Sequence, residues 1–164
     1  VATLTVVVGL PGSGESLLLD RLRAACPGVV ADDYHAAAHA GSPEVTASRH
    51  YPALVAAPRA GLDCAVSDIA FTDTGRRLEL DWVVRADVAG VAVEWVLFAN
   101  DLGACLANVG RRGRESRAEE EELARLLAPR YFVSQGVTVL PDWTTPDVPS
   151  VPDRPSAEPG SPTC

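Results

Sequence analysis

The junction at the start of the chain constrains it most. Thr3 to Val8 is a short β-branched apolar run that ends in Gly9-Leu10-Pro11-Gly12-Ser13-Gly14-Glu15-Ser16. Such a run, without polar alternation, predicts a strand buried on both faces of a parallel sheet. Ser16 to Ala25 follows with helical spacing: Leu17, Leu18, Leu22 and Ala25 share a face, Asp20, Arg21 and Arg23 lie largely elsewhere, and Pro27-Gly28 stops the helix. A strand joined to a helix through so many glycines lets successive amide N–H groups converge on one anion, at the positive end of the helix dipole.

The same alternation continues. Val29 to Ala31 reads as a second strand leading into Asp32-Asp33-Tyr34-His35, and Cys64 to Ile69 as a third, ending at Ser67-Asp68. The alanine-rich stretch between them is expected to be mostly helical. Gly75 to Ala89 is a helix candidate, and Val91 to Phe98 is a strand interrupted only by Glu94, before Asn100-Asp101 opens the next helix. Arg111 to Ala128 carries a basic cluster, then Glu119 to Glu122, with Leu123, Leu126 and Leu127 as an apolar stripe; Val137 to Leu140 is the last strand. Five strands separated by helical segments predict an α/β domain whose parallel sheet is covered by helices, with ligands at the strands' carboxyl ends. From Pro141 the composition turns to proline, serine and acidic residues without periodicity. We therefore expect one domain over residues 1–142 and a disordered tail over 143–164.

Charge narrows the partners. The chain of 164 residues carries a formal charge of -8, which argues against an extended nucleic-acid surface or an anionic membrane as partner. All 14 basic residues are arginine, so no lysine is present to grip a phosphate or form a Schiff base. No apolar stretch approaches a membrane span and no cationic leader opens the chain, so a cytoplasmic location is expected. Cys26, Cys64 and Cys105 read as buried small hydrophobes, since no C-x-x-C pairing occurs. His35, His39 and His50 lack a metal-ligand pattern, and Trp82, Trp95 and Trp143 read as packing residues.

The first junction carries the chemistry. GLPGSGES matches G-x-x-x-x-G-K-[ST] at every specified position except the lysine, where Glu15 stands. Gly9, Gly12, Ser13, Gly14, Glu15 and Ser16 are thus the expected phosphate-binding set, with the Ser16 hydroxyl placed to hold magnesium. In a working loop the lysine ammonium meets the terminal phosphates, where one pair of unit charges about 4 Å apart is worth roughly 4 kcal/mol at an effective dielectric of 20. Glu15 reverses that sign. A carboxylate in a helix's first turn is also favoured by the dipole, by roughly 0.3–1 kcal/mol, which gives Glu15 a structural account as well.

GLPGSGES, then ADDYH, VSDIAF and EWVLFANDLGACLANVGRR, in that order, resemble the nucleotide-kinase-like group of the P-loop NTPase superfamily, which includes small-molecule and polynucleotide kinases. The resemblance spans roughly residues 3 to 140. It implies a three-layer domain with a five-stranded parallel sheet, binding ATP and Mg2+. It also implies that Asp33, after the second strand, orients or deprotonates the acceptor hydroxyl; Asp32-Asp33 alone reads equally well as a turn or helix cap. Asp68 resembles the acidic residue that holds magnesium through water, though it too could cap the next segment. Arg111, Arg112, Arg114 and Arg117 resemble lid arginines that neutralise transferring phosphates, with Arg111 and Arg114 as the catalytic pair. The other account of these arginines is a solvated helix pairing them with Glu115 and Glu119 to Glu122.

Three functions follow as expectations. The first is an ATP-dependent phosphotransferase acting on a small hydroxylated molecule or a nucleic-acid end. The second is a degenerate binding or regulatory module. The third is a metal-dependent enzyme in which Glu15, Asp32, Asp33 and Asp68 form an acidic pocket without nucleotide.

Overall fold

The computed structural model describes residues 1–26, 30–33, 52 and 55–140. Strand β1 (Ala2–Val8) leads through the glycine-rich loop into helix α1 (Glu15–Ala25), then strand β2 (Val30–Asp33). A short helix α2 (Ala56–Arg59) precedes β3 (Cys64–Ser67) and a 3-10 turn (Ile69–Thr72). Helix α3 (Thr74–Asp87), strand β4 (Val91–Leu97), helices α4 (Leu102–Arg112) and α5 (Arg117–Leu127) and a 3-10 turn (Ala128–Arg130) complete the described elements.

The strands form one parallel sheet in the order β2-β3-β1-β4. β1 is central because it can be buried on both sides: Leu4, Val6, Val7 and Val8 are fully inaccessible. Period-two alternation sorts the sheet's side chains. Leu4, Val6, Val8, Cys64 and Val66 join Leu80 and Val84 of α3, Cys105 of α4 and Tyr131 in the larger core. Val7, Ala65 and Phe98 face Leu19 of α1 on the other side, with Leu18, Leu22 and Val96 packed around them.

The α/β class holds, but the expected five-stranded sheet does not. Among the described residues the sheet has four strands, and the segment expected as a fifth, Val137 to Leu140, contributes a single parallel bridge between Val137 and Phe98. The reason lies in where Leu140 spends its backbone. Its N–H donates to the Ser13 carbonyl at 2.8 Å, and its carbonyl accepts from Asn108 Nδ2 at 2.8 Å, so the segment is drawn over the glycine-rich loop.

Other details differ locally. The buried leucine of α1 is Leu19, whereas Ala25 is exposed. Trp82 is 72% exposed, because the buried stripe of α3 runs through Arg77, Leu80, Val83 and Val84 and leaves Leu78 and Trp82 outside it. Trp95 packs edge-on against Phe71 with ring centroids 5.6 Å apart. Cys64 and Cys105 are buried; Cys26 is only partly so. The expected tail, the three histidines, Trp143 and most of the alanine-rich stretch lie outside the described residues. Among the described residues no helix is long and apolar enough to cross a membrane.

Candidate functional site

The sheet order makes β1 the point where the connections change direction. β2 and β3 lie to one side of it and β4 to the other, and a crevice at the carboxyl ends of an open parallel sheet forms at such a point. The glycine-rich loop occupies that place.

Its path follows from residue types. The Ser13 N–H donates to the Leu10 carbonyl at 2.9 Å, and Gly12 has φ of 90°, the second central position of a type II turn with Pro11 at the first. Gly14 is left-handed, with φ of 106°, and serves as the N-cap of α1 without a side-chain cap. The first helical bond runs from the Leu18 N–H to the Gly14 carbonyl. With glycine at the N-cap, no N-cap side chain lies over the first turn of α1, the end of a helix at which an anion is favoured.

The glycines are required by close approach. A Cβ on Gly9 would lie 2.0 Å from Ser13 Oγ, and one on Gly12 would lie 2.3 Å from the Cys105 carbonyl oxygen. The loop is therefore folded tightly on itself and seated on α4. Ser13 is fully buried, and its Oγ has no hydrogen-bond partner.

Glu15 opens α1 and is half-buried. Its charge reaches two groups beneath the loop. Burial pushes the Cys105 thiol up from 9.0 to about 12, with Glu15 and Asp101 adding to the rise and Arg112 opposing it. Burial also raises the Tyr131 phenol, opposed by Arg77 and reinforced by Glu15. The Tyr131 hydroxyl lies 2.9 Å from the Val8 carbonyl and 2.8 Å from that of Phe98, donating its one proton between them, so it ties the carboxyl ends of β1 and β4.

These shifts set a pH dependence. The native Cys105 thiol keeps its proton to about pH 12, whereas an unfolded one releases it near 9, so its stabilising contribution is whole below about pH 9 and fades as pH climbs toward 12. The melting temperature is expected to fall by a few degrees more between pH 8 and 11 in the wild type than in Cys105→Ala. Equal falls in the two proteins would contradict the shift.

The acidic candidates sit along the same edge. Asp33 is the last residue of β2, in register with Ser67 of β3; the strand extends through Asp32 and Asp33 rather than stopping at Ala31. Asp68 follows β3 and caps the 3-10 turn, its Oδ1 accepting the Ala70 N–H at 2.8 Å. Ser16 lies exposed in the first turn of α1. Among the described residues no group of three or more His, Cys, Asp or Glu is arranged to hold a metal ion. Of the two residues expected to hold magnesium, Ser16 is exposed and Asp68 has its Oδ1 engaged by the Ala70 N–H.

The arginines do not act as one group. Gly113, with φ of 59°, ends α4, and α5 begins only at Arg117, so Arg114 and Arg117 do not share a helical face. Arg117 pairs with Glu121 at 2.7 Å, Arg125 joins the same carboxylate at 3.2 Å, and together they hold the Glu121 carboxyl below its usual range. Arg112 approaches Glu120 at 3.9 Å. Arg114 is exposed beyond the end of α4. Arg111 instead donates to Asn108 Oδ1.

Asn108, Tyr131 and Arg77 escaped the sequence reading. Asn108 lies one turn from Cys105 on the buried stripe of α4, and a carboxamide there must find partners, which was the available signal. Arg77 is buried against the Tyr131 ring at 5.9 Å, its Nη2 donating to Thr74 Oγ1 and to the Phe132 carbonyl.

No protein-family model matches the chain, and no curated protein sequence matches it. The functional reading therefore rests on the loop and its surroundings. A cavity of about 570 Å³ lies elsewhere, along the α1-facing side of the sheet between Thr5, Leu22, Glu94, Val96 and Leu140. Its walls are mostly apolar and include none of the glycine-rich residues.

Proposed function

We propose that this chain is a P-loop domain of the nucleotide-kinase type in which Glu15 stands in place of the phosphate-gripping lysine, so that it binds MgATP weakly and transfers phosphate slowly or not at all. One observation carries this: a type II turn and a left-handed glycine deliver the strand into a helix whose N-cap is that glycine, so that the backbone and not a capping side chain shapes its first turn. The main chain suits a phosphate and the side chain at position 15 opposes it.

Within this reading the loop amides hold the anion, Ser16 and Asp68 hold the magnesium that ATP brings, and Asp33 is the base for the acceptor hydroxyl. ATP would supply the phosphoryl group, and the acceptor would be a small hydroxylated molecule or a nucleic-acid end. The half-buried Glu15, close enough to raise both Cys105 and Tyr131, favours the degenerate binding module as the second reading. Calorimetry with MgATP separates the two: micromolar affinity in the unaltered protein would count against degeneracy, and no binding even by Glu15→Lys would count against a P-loop origin.

A further inference from the structure

Asn108 is polar, 1% exposed, and completely engaged. Both hydrogens of its Nδ2 are used, one toward the Gly12 carbonyl at 2.8 Å and one toward the Leu140 carbonyl at 2.8 Å, while its Oδ1 accepts from Arg111 Nη2. One carboxamide therefore joins three parts of the chain: the turn of the glycine-rich loop, the segment that crosses it, and an arginine at the end of α4. The crossing segment is also tied to the loop directly, through the Leu140 N–H and the Ser13 carbonyl.

The geometry of these bonds has a direction. Arg111 withdraws electron density from Oδ1, which strengthens Nδ2 as a donor to Gly12, so the two ends of the amide reinforce each other. A shift of the Gly12 carbonyl moves the carboxamide, and the guanidinium moves with it. The neighbouring arginines have other engagements: Arg112 approaches Glu120, and Arg117 holds Glu121. Arg111 is joined to the loop through a single side chain, that of Asn108.

We propose that Asn108 is a positioning residue that couples the conformation of the glycine-rich loop to the placement of Arg111, making Arg111 a cation that responds when a phosphoryl anion occupies the loop. The coupling rests on the P-loop reading for its ligand, but not for its existence, which can be measured without any ligand.

The first arm uses Arg111→Met, a change at an exposed helix end that leaves Asn108 in place. In 15N-resolved spectra the Asn108 side-chain amide pair and the backbone amides of Gly12 and Ser13 are expected to shift. Changes confined to residues next to Arg111 in sequence would overturn the coupling. The second arm titrates MgATP into Glu15→Lys and into the same protein carrying Asn108→Ala, Arg111→Met or both, after thermal melts show each to be folded. Each single change is expected to weaken binding about tenfold, and the pair no more than about tenfold, because the two residues act as one unit. Losses that multiply to about a hundredfold would overturn the proposal. Absence of binding by Glu15→Lys itself would defeat the P-loop reading and the ligand response together, while the spectral arm would still decide the coupling.

Discussion

Glu15→Lys is expected to raise the affinity for MgATP by at least about a hundredfold. The substitution removes a repulsion and adds an attraction, each worth roughly 4 kcal/mol for unit charges about 4 Å apart at an effective dielectric of 20, before screening and side-chain rotation reduce it. Since each ~1.4 kcal/mol is a factor of ten, even a third of the sum amounts to about a hundredfold. The half-buried position of residue 15 keeps the charge near the site, as the influence of Glu15 on Cys105 and Tyr131 indicates. Isothermal titration of the two proteins under identical salt checks this. Equal affinities would mean that residue 15 does not face the ligand.

The second large effect is on stability. Gly12→Ala is expected to cost about 3 kcal/mol and lower the melting temperature by roughly 10 °C. Part of the cost is conformational, because φ of 90° is a region that residues with a Cβ rarely adopt. The larger part is steric: the new Cβ would stand 2.3 Å from the Cys105 carbonyl oxygen, a backbone atom in the middle of α4 that cannot swing aside. Gly113→Ala provides the contrast. Its φ of 59° is also positive, but nothing lies within 4 Å of the added carbon, so only about 1 kcal/mol should be lost. Similar melting temperatures for the two variants would show that the loop is not seated on α4 as described.

Much of this was readable from local sequence because the physics is local. β1, the glycine spacing and the helix after it are specified by residues adjacent in the chain, as are α3 and its Asp73 cap, which accepts the Arg76 N–H at 3.0 Å. The fifth strand was misread because its composition is apolar and β-branched, while its fate is decided by partners far away: Ser13 and Asn108 claim the polar groups of Leu140. Trp82 shows the same limit from the other side. A large aromatic residue reads as core, yet its helical phase, opposite Leu80 and Val84, turns it to solvent.

The candidate site divides similarly. The loop was visible as a motif, and the end-of-strand positions of Asp33 and Asp68 followed from strand boundaries. The capping role of Asp68 was one of its two sequence readings, whereas the different partners of Arg117 and Arg111 depended on where Gly113 breaks the helix. A glycine in a run of arginines gives little warning of that. Asn108 was the most informative residue passed over, and its position on the buried stripe was the clue.

The most direct test titrates pyrophosphate with magnesium into 15N-labelled Glu15→Lys and follows every backbone amide. If the loop is an anion cradle blocked only by the charge at position 15, the largest shifts will fall on Gly12, Ser13, Gly14, residue 15 and Ser16, and will saturate. Saturating shifts centred on the cavity beside Glu94 and Val96, or no saturating shift anywhere, would contradict it.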